Sequence, residues 1–394
     1  MRTDQLRVTS SHPAYSSWRR EGGPLGLETV RRKMPGVQRR NNLITPTGIS
    51  IPYLRNGEIQ NYVLTGQICN AHEHVGGAVP AETLHGMEKV YARGELAADS
   101  FEVFRGKVEL DGSCKSLDDY LRPFHVTERI QSSPDGVRQS VYQAIVWATR
   151  ESGTTLHELR FNPMKRNLAG KYKLSQIIEA SIEGMELAVE RLHHLNVRAG
   201  LILCMAREFP ANANEVILER AIRYKDRGIV GIDLAGPERP IIETGDLLKA
   251  YADLYRRARE AGLKTTIHTG ETTHTGARGV RAVLRELNPD RFGHAIQAWT
   301  DPGLLTELCA GNKTLEFCPP TYSKEGWTPE TLHQAFNTFW DRGVKFTVNT
   351  DGSRLMGTNI LETVKFLLEK RVLTEQQITQ TFIWARESSF LGAQ

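Results

Sequence analysis

Residues 70–78 read NAHEHVGGA, and the two imidazoles in this stretch, His72 and His74, lie one residue apart. The run that leads into it, YVLTGQICNAH (62–72), is apolar and predicts a strand ending at the pair. Alternate side chains of a strand point the same way, so both rings converge on one point at the strand end. A metal ion held between them is one reading. Two chance histidines on an exposed strand is the other. Two ligands do not complete a metal site, so the rest of the chain has to decide.

Seven further strand candidates follow. They are TTLHELRF (154–161), RAGLILCMA (198–206), GIVGIDLAG (228–236), KTTIHTGE (264–271), RFGHAI (291–296), KTLEFCPP (313–320) and KFTVNTDG (345–352). Helical patterns separate most of them. In KLSQIIEASIEGMELAVERLHHL (173–195), Ile177, Ile178, Ile182, Met185, Val189 and Leu192 fall on one side. The stretch DLLKAYADLYRRAREAG (246–262) ends at a glycine cap, and SPDGVRQSVYQAIVWATRESG (133–153) carries Pro134 in its first turn.

Eight strands alternating with helices predict an α/β fold, a (β/α)8 TIM barrel. Residues 80–153 are too long for one crossover helix and predict a helical insertion after strand one. The domain reading is an N-terminal extension over 1–60 and a barrel over 61–394. Within the extension, Arg19, Arg20, Arg31, Arg32, Lys33, Arg39 and Arg40 face only Glu21 and Glu28 in residues 18–40. That pattern reads as a solvated basic arm, with a phosphate-binding or subunit-contacting arm as the alternative.

The 394 residues are 40% hydrophobic and 24% charged with a net charge of +4, ordinary for a globular protein. Nothing in that balance points to nucleic acid, and no apolar run reaches membrane-spanning length. The first residues lack the apolar core of a secretory signal. Cys69, Cys114, Cys204, Cys309 and Cys318 are scattered without a CxxC, which reads as reduced thiols in a cytoplasmic protein.

In a (β/α)8 barrel the chemistry sits at the C-terminal ends of the strands. Strand one ends in His72 and His74, strand five in His268 and Glu271, strand six carries His294, and strand eight ends in Asp351. Three histidines and an aspartate from strands one, five and eight form a nitrogen-rich set suited to Zn²⁺. His294 and Glu271 remain for moving protons. Each signal alone has a bland reading, a packed histidine or a turn aspartate. Their joint placement at strand ends is what chance explains badly.

The segments HEHVGGA (72–78), SLDDYL (116–121), ELRFNP (158–163), GIDLAGPE (231–238), HTGE (268–271), RFGHAI (291–296), EFCPPTYS (316–323), VNTDG (348–352) and ESSFL (387–391) resemble, in order, the adenosine deaminase family of the metal-dependent amidohydrolases. The resemblance covers about residue 60 to the end. It implies one Zn²⁺ per chain held by His72, His74, His268 and Asp351. It implies Glu271 as the donor of a proton to a ring nitrogen, and His294 as the group that orients or deprotonates the water. Asp351 thereby belongs to the catalytic set with Glu271 and His294. The positions placed against the substrate are His74, Gly76, Gly236 and Gly352, with the Gly236 backbone along the purine edge.

Two positions depart from the family pattern. Its members carry an aspartate two residues after the second metal histidine and another directly after the metal aspartate; here these are Gly76 and Gly352. The expectation is a zinc-dependent hydrolytic deaminase of a purine nucleoside or related amino-purine compound, not optimised for plain adenosine. An arginine in the vacated space would point to an acidic substrate, and an aromatic to an apolar one. The partner is a small molecule, without nucleic acid or membrane, and a homo-oligomer is compatible.

Two other readings stand beside it. One is a mononuclear zinc amidohydrolase cleaving another C–N bond; GIVGIDLAG has no lysine to bridge a second metal. The other is an inactive binding barrel, which the retention of Glu271, His294 and Asp351 opposes. Smaller expectations complete the reading. Glu73 points away from the histidines toward a structural partner such as an arginine. Arg160 pairs with Glu158 inside the barrel. Phe124 and His125, in the first insertion, are candidates for a lid, with a bland packing role as the alternative, and His274 reads as a surface residue.

Overall fold

The strand that carries the histidine pair, β1 (Ile68–His74), opens a run of nine short parallel strands in a computed structural model that describes residues 68–91, 99–114, 116–238 and 245–392. The expected extension over 1–60, and the expected start of strand one, lie outside the described residues. The other strands are β2 (Thr154–Phe161), β3 (Arg198–Ala206), β4 (Ile229–Ala235), β5 (Lys264–Thr265), β6 (His268–Thr269), β7 (Arg291–His294), β8 (Thr314–Phe317) and β9 (Lys345–Val348). They pair in the orders β1 to β5 and β6 to β9.

The expected fifth strand is broken into β5 and β6, yet its hydrogen bonds run on through the break. Thr266 N donates to Ile232 O at 3.0 Å, and Gly293 N donates to Ile267 O at 2.8 Å. Asp351 closes the ring from β9 back to β1: its amide donates to His72 O at 2.9 Å, and His74 N donates to Asp351 O at 2.7 Å. The result is the eight-stranded barrel that the alternation predicts, with 264–269 acting as one strand.

The insertion after β1 consists of α1 (Ala81–Tyr91), α2 (Phe101–Val108), α3 (Leu117–Ile130) and α4 (Pro134–Ser152). Ser133 caps α4, its hydroxyl accepting from Gly136 N at 2.9 Å. Gly153 ends the same helix at φ +68°, a conformation that glycine adopts without a Cβ clash. α5 (Leu174–Arg191) turns Ile177, Ile178, Ile182 and Met185 into the main core, as its periodicity predicts. There they meet Leu159 and Phe161, the helix-facing residues of β2.

Glu158 and Arg160, alternate residues of β2, point into the barrel and carry charge. Arg160 bonds Asp233 of β4 at 3.2 Å and Glu316 of β8 at 2.8 Å. Arg291 of β7 bonds Glu316 at 2.7 Å and Glu158 at 2.5 Å. Glu158 thus pairs with Arg291, not with the neighbouring Arg160 as its spacing suggests. Side chains two apart on one strand lie side by side, while the stagger of the barrel brings opposite charges from other strands between them.

Glu316 joins most of this buried lattice, accepting also from His72 Nδ1 at 2.8 Å and Thr266 Oγ1 at 3.0 Å. Burial alone would raise its pKa, but Arg160 and Arg291 outweigh it and hold the carboxyl below its ordinary range. Such a group favours the folded state fully above the unfolded glutamate pKa of about 4.3, and the contribution fades as pH falls. Glu316→Ala leaves two buried guanidiniums short of a partner. It is expected to cost about 3–5 kcal/mol in denaturant unfolding of the metal-free protein at pH 7. A cost under about 1 kcal/mol would show that the lattice does not depend on this carboxylate.

Candidate active site

The C-terminal ends of β1, β6, β7 and β9 bring His72, His74, His268, Glu271, His294 and Asp351 to one rim. One donor atom from each of His72, His74, His268 and Asp351 lies within 4.8 Å of every other, and Glu271, His294 and Asp351 meet the same limit. His72 and His74 do converge from a single strand. His74 Nε2 and His268 Nε2 stand 3.0 Å apart, and Asp351 Oδ1 is 3.5 Å from the Nε2 atoms of both His72 and His74.

Each donor is aimed by a partner on its far side. Glu316 takes His72 Nδ1, and Asp233 Oδ2 lies 3.0 Å from His268 Nδ1, so each ring turns its Nε2 to the centre. Asp351 Oδ2 accepts from Tyr120 at 2.6 Å and from Thr321 at 2.7 Å. His72 Nε2, fully buried, finds no hydrogen-bond partner among the described residues. Three imidazole nitrogens and one carboxylate oxygen around such an orphaned atom fit a metal ion.

The electrostatics agree with that fit. Burial pushes His74 well below the usual imidazole range and lowers His268 too, despite the opposing Asp233. Both rings are therefore neutral, as a metal ligand must be. His72 goes the other way: burial and Arg160 lower it, but the Asp351 and Glu316 carboxylates outweigh them and raise it. A positive charge is favoured at its Nε2, and a cation meets that demand as well as a proton does. Burial would raise Asp351, yet the surrounding histidines hold it well below the carboxylate range.

Glu271 stands differently. Burial, with Glu325 and Asp351 nearby, pushes its carboxyl well above the usual range, which favours the acid form. His294 Nε2 lies 3.5 Å from Glu271 Oε1, and burial holds this imidazole well below its usual range. A neutral acid and a neutral base thus share one corner of the site. His294 and Asp351 both sit at left-handed backbone angles, φ +59° and +61°, which costs a non-glycine residue roughly 1–2 kcal/mol.

A pocket opens beside this corner, lined among others by Leu121, Phe124, His125, Phe161, Met205 and Gly236. Gly236 has φ +94°, a backbone angle that side-chain-bearing residues rarely adopt, and a Cβ there would displace the end of the Glu208 side chain. Arg207 Nη1 donates to Gly236 O at 2.9 Å and steadies the strand end. A Cβ on Gly76 would lie 2.8 Å from Phe124 Cδ1 and 3.3 Å from Arg166 Nη2. One on Gly352 would lie 3.4 Å from Phe124 Cζ. The Phe124 ring therefore fills the space at both glycines. Arg166 is engaged elsewhere, with Glu128 at 3.4 Å, Gln131 at 3.2 Å and Asn162 O at 3.2 Å.

Phe124 and His125 line the mouth, and His274 is exposed. Glu73 does point away from the histidines, but its hydrogen-bond partners are Ser353 and Asn70; the Arg354 charge acts on it from nearby. Tyr120, Thr321, Asp233 and Glu316 were not assigned from sequence. For Asp233 and Glu316, a carboxylate at an inward strand position beside the predicted ligands was the available signal. Nothing local links Tyr120 to Asp351.

A family model described as adenosine deaminase matches residues 68–394. The adenosine deaminase of Shigella flexneri serotype 5b is 28% identical over 327 residues, 83% of this chain and 94% of the relative. Among solved structures, the Arabidopsis N6-mAMP deaminase aligns with TM-score 0.68 and 19% identity, over 83% of this chain and 94% of that one. An amidohydrolase from Burkholderia ambifaria with bound Zn aligns with TM-score 0.66 and 19% identity, over 88% and 90%. At these identities the structural similarity is one of fold. Among the described residues no helix is long and apolar enough to cross a membrane.

Proposed function

Because the chain belongs to the adenosine deaminase family, we propose that it is a zinc-dependent hydrolase that removes an amino group from a purine compound other than plain adenosine. The observation that carries this reading is the meeting of His72, His74, His268 and Asp351 within 4.8 Å, with Glu271 and His294 at the same rim. The zinc-bearing amidohydrolase of the same fold supports the choice of metal.

His72, His74, His268 and Asp351 would hold the ion. When bound, zinc supplies Lewis acidity, which lowers the pKa of a water from 15.7 to roughly 7. The remaining work falls to the chain. Glu271, protonated through its burial, gives its proton to the ring nitrogen beside the attacked carbon as negative charge builds there. His294, neutral and 3.5 Å from Glu271, holds the attacking water and takes its proton. Gly236, which lines the pocket, presents backbone to the purine edge, a close approach that glycine allows. Water enters, the exocyclic amine leaves as ammonia, and the ring keeps a carbonyl.

The substrate reading rests on Gly76 and Gly352. The Phe124 ring lies against both glycines, the positions at which the family pattern carries aspartates, so polar groups of adenosine that need those acceptors would find none. Each lost contact costs about 1–3 kcal/mol, so adenosine should be slower by roughly 30-fold or more than the preferred amino-purine. Loss of the exocyclic amine from the zinc-loaded protein's substrates, read as ammonia from adenosine and adenine and as methylamine from N6-methyl-AMP, tests this. The expected result is turnover of a purine other than adenosine. Adenosine as the best substrate would overturn the specificity, and no ammonia or methylamine from any purine would overturn the deaminase reading.

A further inference from the structure

The two oxygens of Asp351 are treated unequally. Oδ1 faces the Nε2 atoms of His72 and His74 at 3.5 Å each. Oδ2 receives two hydrogen bonds, from the Tyr120 hydroxyl at 2.6 Å and from Thr321 Oγ1 at 2.7 Å. All three residues are buried, Tyr120 at 3%, Thr321 at 0% and Asp351 at 3% exposure, so water does not compete for that oxygen. Hydrogen bonds to a carboxylate are the strong kind, and two on one oxygen fix its rotation.

The donors come from different parts of the fold. Thr321 sits in the short helix Pro319–Lys324 that follows β8. Tyr120 sits on α3 of the insertion, one turn before Phe124, which its ring meets edge-on at 5.8 Å. The loop before α3 is tied to the same rim: Leu110 N donates to Leu355 O at 2.8 Å, and Cys114 N donates to Lys324 O at 2.7 Å. The helix that places Phe124 at the pocket mouth therefore also grips a ligand of the candidate metal site.

We propose that Tyr120 and Thr321 are positioning residues for the metal. By occupying Oδ2 they hold Asp351 as a one-oxygen ligand with Oδ1 turned to the histidines, and through Tyr120 metal affinity depends on the seating of the insertion. The proposal rests on the reading of the four-residue set as a zinc site. It adds residues that touch neither the metal nor the reacting atoms.

The test measures metal affinity apart from turnover, by competition with a chelator for Zn²⁺ and for Co²⁺. Tyr120→Phe and Thr321→Val each remove one donor with little change of shape. Each is expected to weaken metal binding about 10–100-fold, and the double variant to weaken it further. The Co²⁺ absorption spectrum should shift as the carboxylate loosens, a signature that a loss of stability alone would not produce. Thr321→Ser, which keeps the hydroxyl, should bind like the parent. If Tyr120→Phe and the double variant bind metal within about twofold of the parent, the positioning role is wrong though the metal site stands. A parent protein that binds no stoichiometric metal would overturn both.

Discussion

Glu271→Gln is expected to lower kcat about 10³-fold while the protein binds metal as tightly as before. Glutamine keeps the size and hydrogen-bonding outline of the carboxylic acid but cannot give up a proton. Glu271 lies outside the four-residue donor set, so metal affinity has no reason to change. The pH profile carries the same claim with a sign. Burial holds the Glu271 pKa well above the ordinary glutamate range, and the working form is the protonated one. Activity is therefore present below that raised pKa and falls as pH rises through it, and the limb should vanish in the glutamine variant. A loss under about tenfold, or an unchanged alkaline limb, would remove Glu271 from the acid role.

Stripping the metal is expected to have the larger effect. Chelation should lower ammonia release by at least about 10⁴-fold, since an unassisted water with pKa 15.7 is scarcely ionised at neutral pH. Stoichiometric zinc should restore it. His268→Ala and Asp351→Asn should lose both activity and bound metal, and added zinc should not rescue them. The two substitutions fail for separate reasons. His268 brings Nε2 to 3.0 Å from His74 Nε2, a pairing of two neutral imidazoles that a shared cation accounts for. Asp351→Asn keeps the shape but removes the charge that balances the ion. Metal content by elemental analysis, read beside activity, decides the matter. Full activity in the stripped protein would end the hydrolytic reading at this rim.

Much of the fold was legible because it is written in local periodicity. The runs 154–161 and 198–206 coincide with β2 and β3, and α4 begins at the predicted Pro134 after its serine cap. The meeting of His72, His74, His268 and Asp351 at one rim was legible too, since strand ends of a parallel barrel all face the same way. What misled was pairing. Glu158 and Arg160, two apart in sequence, bond different partners, Arg291 for the one and Asp233 with Glu316 for the other. Glu73 binds Ser353 and Asn70 because the closing bridge to Asp351 brings residue 353 beside it.

By itself the amino-acid sequence determined the barrel, the strand ends, and which side chains stand at them, because alternation and turn chemistry act over a few residues. Only the tertiary structure decided who holds those side chains in place. Glu316 and Asp233 orient two histidines, Tyr120 and Thr321 hold the aspartate, and Phe124 fills the space at Gly76 and Gly352. These contacts join residues up to 244 positions apart. Their existence depends on how the barrel closes and where the insertion docks, which no stretch of chain encodes alone.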